Sequence, residues 1–106
     1  DTFSKSKVLN YLKRAFRDKG MRFDSQTAFE TEPDTVEGPD GAEVAVYRSR
    51  VRLLCPAPHG LKIATGVASD PKDAEVVAAM HAERVLDALG VPLYALSGMQ
   101  QKHAEA

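Results

Sequence analysis

Tyr47-Arg48-Ser49-Arg50-Val51-Arg52-Leu53 is the stretch that decides the fold class of this 106-residue chain. Tyr47, Ser49, Val51 and Leu53 alternate with three arginines. That two-residue period belongs to a strand with one face on a core and the other in water. The strand is expected to run from Val44 to Leu54. Three like charges down one face cost stability unless neighbours offset them, and acids such as Glu30 or Glu32 on an adjacent strand would do so. Pro56-Ala57-Pro58-His59-Gly60 must turn the chain. Leu61 to Ala68 then reads as a further strand, with Leu61, Ile63, Thr65 and Val67 of one parity. Two runs separated by a Pro/Gly turn predict an antiparallel hairpin.

Upstream, Phe23 to Glu32 reads as a first strand. Glu32 to Gly41, dense in acids and turn formers, reads as a long connection. Before it, Lys5 to Lys19 has helical spacing, with Val8, Leu9, Leu12, Ala15 and Phe16 on one stripe. Ser4 or Ser6 is suited to cap its start, and Gly20 to end it. Lys7, Asn10, Lys13, Arg14 and Arg17 share the other, basic face.

Downstream, Asp70 is placed to cap a second helix, Pro71 suits its first position, and Asp73 sits where a capping box has its acid. Ala74, Ala78, Ala82, Val85 and Leu89 form its stripe. The small residues predict a helix backbone lying close to a neighbouring layer, and Gly90 ends it. The order is helix, three antiparallel strands, helix: an α+β fold, α-β-β-β-α. Both helices need cover for an apolar stripe, so both are expected on one face of the sheet. The domain is expected over residues 5–90. Residues 91–106 read as a partly ordered extension, with a short helix starting at Ser97.

Composition bounds the function. Apolar content of 43% and charged content of 27% are ordinary for a globular domain. No apolar run approaches the length needed to span a bilayer, and Asp1-Thr2-Phe3-Ser4-Lys5 opens no signal peptide. A start without Met suggests a piece of a longer protein. The single cysteine, Cys55, permits no internal disulfide and suits a reducing intracellular compartment: cytosol, nucleus or organelle matrix. It reads as a small residue at a strand end.

The net charge is −1, but it is distributed in blocks. Residues 1–22 hold Lys5, Lys7, Lys13, Arg14, Arg17, Lys19 and Arg22 against Asp1 and Asp18. Residues 24–43 hold seven acids and no base. Such a chain presents a basic face despite a near-zero total. His59, His81 and His103 stand apart and Cys55 has no Cys-x-x-Cys partner, so no metal site is expected. With no nucleophile motif and no phosphate-cradling Gly-Lys-Ser/Thr loop, neither catalysis nor a cofactor is expected.

Three stretches carry a family resemblance. Val8-Leu9-Asn10-Tyr11-Leu12 resembles the first helix of the double-stranded-RNA-binding domain (dsRBD). Tyr47 to Leu53 resembles its central strand. Thr65-Gly66-Val67-Ala68-Ser69-Asp70-Pro71-Lys72-Asp73-Ala74-Glu75-Val76-Val77-Ala78-Ala79 resembles its third strand, short loop and second helix. The match covers residues 5–90 and is nearest to the RNA helicase A and maleless-like type. The family binds A-form duplex by shape, across two minor grooves and the phosphates between them. The resemblance implies that Lys7, Asn10, Lys13 and Arg14 face a minor groove, and that Lys72 meets phosphate at a helix N-terminus. Where the family has a lysine cluster, this chain has Pro71, Lys72 and Glu75. Its first loop keeps only Gly38-Pro39-Asp40-Gly41 of the family's signature.

The expected partner is therefore duplex or structured RNA, held for a larger RNA-processing protein, with a helicase as the natural context. The alternative is a protein docking or dimerisation module of the same fold. In it, Arg48, Arg50 and Arg52 would meet an acidic partner on the open sheet face. Each basic set also admits a plainer reading, as a solvated surface.

Overall fold

The computed structural model describes residues 2–93. Its elements run α1 (Thr2–Asp18), β1 (Phe29–Glu37), β2 (Glu43–Leu54), β3 (Leu61–Ala68) and α2 (Pro71–Ala88). The strands form one antiparallel sheet in the order β1-β2-β3, and both helices cover the same face of it. The short helix expected from Ser97 lies outside the described residues.

Strand β2 follows the alternation in the sequence. Ser49, Val51 and Leu53 are fully buried, while Arg50 and Arg52 are exposed. Beneath the helices, Val51 and Leu53 join Val8, Tyr11, Leu12, Phe29, Ala64, Ala78, Ala79, Ala82 and Leu86 in one core. Leu12, Leu53 and Leu86 are its largest fully enclosed side chains. Truncating any one of them to Ala is expected to cost about 2–5 kcal/mol.

Two helix ends follow local chemistry. Gly20, with φ +69°, ends α1: its N–H bonds Arg17 O and the Met21 N–H bonds Phe16 O at 2.8 Å. This paired closure needs a left-handed residue, which only glycine adopts without strain. Asp70 caps α2, its carboxylate accepting from the Asp73 N–H at 2.9 Å, with Pro71 following. The small-residue stripe of α2 lies against β3 at Gly66. A Cβ there would stand 2.2 Å from Ala78 N and 2.6 Å from Ala74 O, so the two backbones touch where any side chain would intervene.

Two expectations are corrected. The first strand is Phe29–Glu37, not Phe23 to Glu32, so most of the supposed connection is strand. Strand β1 lies at a sheet edge, which tolerates Pro33, and its acids are drawn into register by the arginines of β2. Residues 24–27 form a turn instead, with Asp24 Oδ1 accepting from Gln26 N at 2.9 Å. Second, α1 begins by Thr2, so Ser4 and Ser6 lie inside the helix and Ser4 is buried. On β3 the apolar parity points away from the core. Leu61 and Ile63 are 56% and 54% exposed, while Ala64 and Gly66 face α2.

Candidate nucleic-acid interface

The basic residues of α1 divide into two groups. Lys5 forms an ion pair with Glu75 of α2, and Lys7 Nζ lies 3.2 Å from Glu83 Oε2. All four side chains are about three-quarters enclosed. The Lys7 ammonium also stands 4.5 Å from the Phe3 ring centroid. These lysines clamp the helices together. Arg14, half-buried, donates to the Leu93 carbonyl and ties down the chain beyond α2. Asn10, Lys13 and Arg17 are different: they are exposed, fall on one helical stripe, and make no ion pair among the described residues. Lys19 and Arg22 extend that positive charge past the helix end.

Of the residues expected to face a groove, then, Asn10 and Lys13 are free to do so. Lys7 and Arg14 are engaged within the fold. Arg17, placed on the basic face but not among the expected contacts, belongs to the free set. The seven-residue spacing from Asn10 to Arg17 already carried that signal.

Lys72 is exposed in the first turn of α2, one turn before Glu75. The contact of Lys5 with Glu75 brings the first turns of the two helices together. Asp70 and Asp73 flank it. The backbone hydrogen bond from Asp73 holds the Asp70 carboxyl below its ordinary pKa, and the hydrogen bond shared with Asp70 raises that of Asp73. The amide that would receive a phosphate at this helix N-terminus is already bonded to a carboxylate.

Glu75 stands where the family has a lysine, and the structure gives it a place inside the fold. Besides Lys5, its carboxylate meets Thr31 Oγ1 at 3.4 Å. Thr31 Oγ1 in turn shares a hydrogen bond with the fully buried Ser49 Oγ at 3.0 Å. The acid thus links α1, α2 and β1. Glu83 is held less completely: its Oε1 is buried without a hydrogen-bond partner among the described residues.

On the open sheet face the arginine ladder is fully countered. Arg48 Nε lies 2.7 Å from Asp34 Oδ2, Arg50 Nη2 3.0 Å from Glu32 Oε1, and Arg52 Nη1 3.3 Å from Glu30 Oε1. Each arginine reaches diagonally past its direct cross-strand neighbour. The Arg48 hydrogen bond keeps the Asp34 carboxyl below its ordinary pKa.

The tip of the β1–β2 hairpin is acidic. Glu37, Asp40 and Glu43 are exposed and make no ion pair among the described residues. At the other end, Tyr11 Oη donates to Leu54 O at 2.7 Å, and burial pushes the phenol pKa up to about 12. Cys55 is enclosed just past the end of β2, its thiol pKa also raised by burial. No described group of three or more His, Cys, Asp or Glu side chains is arranged to hold a metal ion. No described helix is long and apolar enough to cross a membrane.

Comparison with known proteins agrees with this architecture. The family model described as "REH2 DRSM domain" matches residues 1–106. The chain is 40% identical over 109 residues to "RNA editing associated helicase 2" of Trypanosoma brucei brucei (strain 927/4 GUTat10.1), covering all of this chain and 5% of that protein. It thus spans a small part of the relative's length. No solved structure matches. With the α-β-β-β-α order, both helices on one sheet face and a family match over its whole length, the chain belongs to the REH2 DRSM family of dsRBD-like binding domains.

Proposed function

We propose that this domain binds RNA through the shape of a duplex, using the exposed stripe of α1, as one module of a longer RNA-processing protein. The observation that carries the reading is the unpaired set Asn10, Lys13 and Arg17 on the helix that meets a minor groove in this family. A helicase context follows by analogy with the relative's name. Lys72 adds at most a marginal phosphate contact, because two carboxylates flank it and one takes its helix's amide.

About three phosphate contacts give a log–log salt slope near −3, scaled from duplex DNA, with affinity in the micromolar range or weaker. Fluorescence anisotropy with matched labelled double-stranded and single-stranded RNA, at low and moderate salt, tests this. A salt-sensitive preference for duplex is the expected outcome. Equal binding to both strand states would overturn shape recognition.

A second reading has its own observation. Strand β3 is a sheet edge, and Leu61 and Ile63 on it are more than half exposed. Strand β1, the other edge, carries a proline and four acids, which discourage pairing. The exposed apolar pair suits a protein partner, while His81 Nδ1 of α2 already meets the backbone of Thr65 on this edge at 3.1 Å. Light scattering that gives a monomer at high concentration, together with unaltered duplex binding by Ile63→Lys, would leave this edge without a role.

A further inference from the structure

We infer that the β1–β2 hairpin is an electrostatic stop that confines the domain to one minor groove, so that its RNA partner is a short or interrupted helix. The inference rests on the duplex reading above and specifies the substrate of that same surface.

A two-groove footprint of ~16 base pairs needs a second contact, and in this family the β1–β2 connection supplies it. Here that connection is a stiff projection. Pairing of β2 with β3 begins only at Tyr47–Ala68, whereas pairing of β2 with β1 continues to Glu37–Glu43. Four residue pairs therefore extend past the third strand, roughly 13 Å at strand rise.

The tip itself is fixed. Gly38 N bonds Ala42 O at 2.8 Å, Gly41 N bonds Gly38 O at 3.0 Å, and Asp40 Oδ1 accepts from Ala42 N at 3.1 Å. Gly41 takes the left-handed turn position at φ +83°. Three carboxylates are thus presented on a rigid turn, with no described cation pairing them.

The charge does not serve the fold. Glu37 and Glu43 stand directly opposite each other in register, an arrangement that destabilises a hairpin. Towards RNA its effect is definite. A phosphate backbone repels a cluster of carboxylates strongly at low ionic strength and less as salt screens the interaction. The start of α2, which in the family spans the phosphates between the grooves, turns the same sign outward through Asp70 and Asp73. Positive charge is concentrated instead on the later turns of α1 and just beyond, at Lys13, Arg17, Lys19 and Arg22. A long duplex laid along the family's track would run from an attractive end to a repulsive one. A helix that ends or bends away after one groove avoids the hairpin.

Blunt RNA duplexes of about 8, 12, 16 and 24 base pairs, bracketing the ~16 base-pair family footprint, provide the test. Affinities are corrected for the number of binding registers and compared between the intact chain and the Glu37→Lys/Asp40→Lys/Glu43→Lys variant. The intact chain is expected to reach full per-register affinity by about 12 base pairs, and the variant to gain about tenfold on longer duplexes alone. A corrected affinity that still climbs several-fold between 12 and 16 base pairs in the intact chain would overturn the inference and leave duplex binding standing. An equal gain for the variant at every length would also overturn it, since the hairpin would then act only through overall charge. Absence of binding to any duplex would remove the duplex reading itself, and the inference with it.

Discussion

The stripe on α1 and the ladder on β2 each present basic residues on a regular element, and in the sequence they look alike. Their surroundings separate them. Arg48, Arg50 and Arg52 face a strand whose Asp34, Glu32 and Glu30 arrive at diagonal positions, so each guanidinium is matched. Lys13 and Arg17 are exposed on a helix and make no ion pair among the described residues. A basic run advertises a nucleic-acid surface only where the fold has not already answered its charge.

The contrast can be broken most directly on α1. Reversing Lys13 and Arg17 together, Lys13→Glu with Arg17→Glu, is expected to lower duplex affinity by roughly thirtyfold and to flatten the salt slope by about two. The circular dichroism spectrum and Tm should stay close to those of the unaltered chain. A variant that still binds duplex within twofold or so of the original would place the RNA elsewhere.

Unmasking the ladder is the reciprocal experiment. Glu30→Gln, Glu32→Gln and Asp34→Asn leave three arginines uncompensated. They should raise RNA affinity at low salt by about three- to tenfold, equally for single and double strands. A gain restricted to duplex would mean that the sheet face belongs to the shape-reading surface. Removing the ladder itself, as Arg48→Gln/Arg50→Gln/Arg52→Gln, should change duplex affinity less than about threefold, because exposed ion pairs already occupy those groups.

Within α1, Lys7 and Lys13 are predicted to differ in kind. Lys7→Glu sets a carboxylate against Glu83 between the helices and is expected to destabilise the fold by about 1–3 kcal/mol, measured by urea unfolding. Adding Glu83→Lys restores the opposite pair and should recover most of that loss. Failure of the exchange to rescue would assign Lys7 a role outside the clamp.

The smallest effect concerns Tyr11, which joins the two regions by donating to the last carbonyl of β2. Burial raises its folded-state pKa from 10 to about 12. The folded state therefore keeps the proton longer than the unfolded chain. The stabilisation is complete below pH 10, declines as pH rises, and is lost above about 12. Alkaline unfolding monitored between these limits should show that decline, and Tyr11→Phe should remove its share.

Much of the architecture was legible because local periodicity carries it. Tyr47 to Leu53 could only be a half-buried strand, and Asp70-Pro71 could only open a helix. The small residues of α2 announced a close approach, which Gly66 receives. The acids of β1 were harder to place, because Pro33 and a dense charge run read as a loop when no partner strand is in view. Glu75 was legible only as a sign reversal; its link to Lys5, Thr31 and Ser49 joins positions up to 70 residues apart.

The sequence by itself determined the element order, the helix ends at Gly20 and Asp70, the core face of β2 and the uneven distribution of charge, all of them properties of neighbours along the chain. Only the tertiary structure decided which charges remain available. It enclosed Lys5 and Lys7 between helices, matched the arginines to β1, and left Asn10, Lys13 and Arg17 in water. The reason is physical: a charge acts on a partner molecule with what its own fold leaves uncompensated, and compensation depends on distance in space, not along the chain.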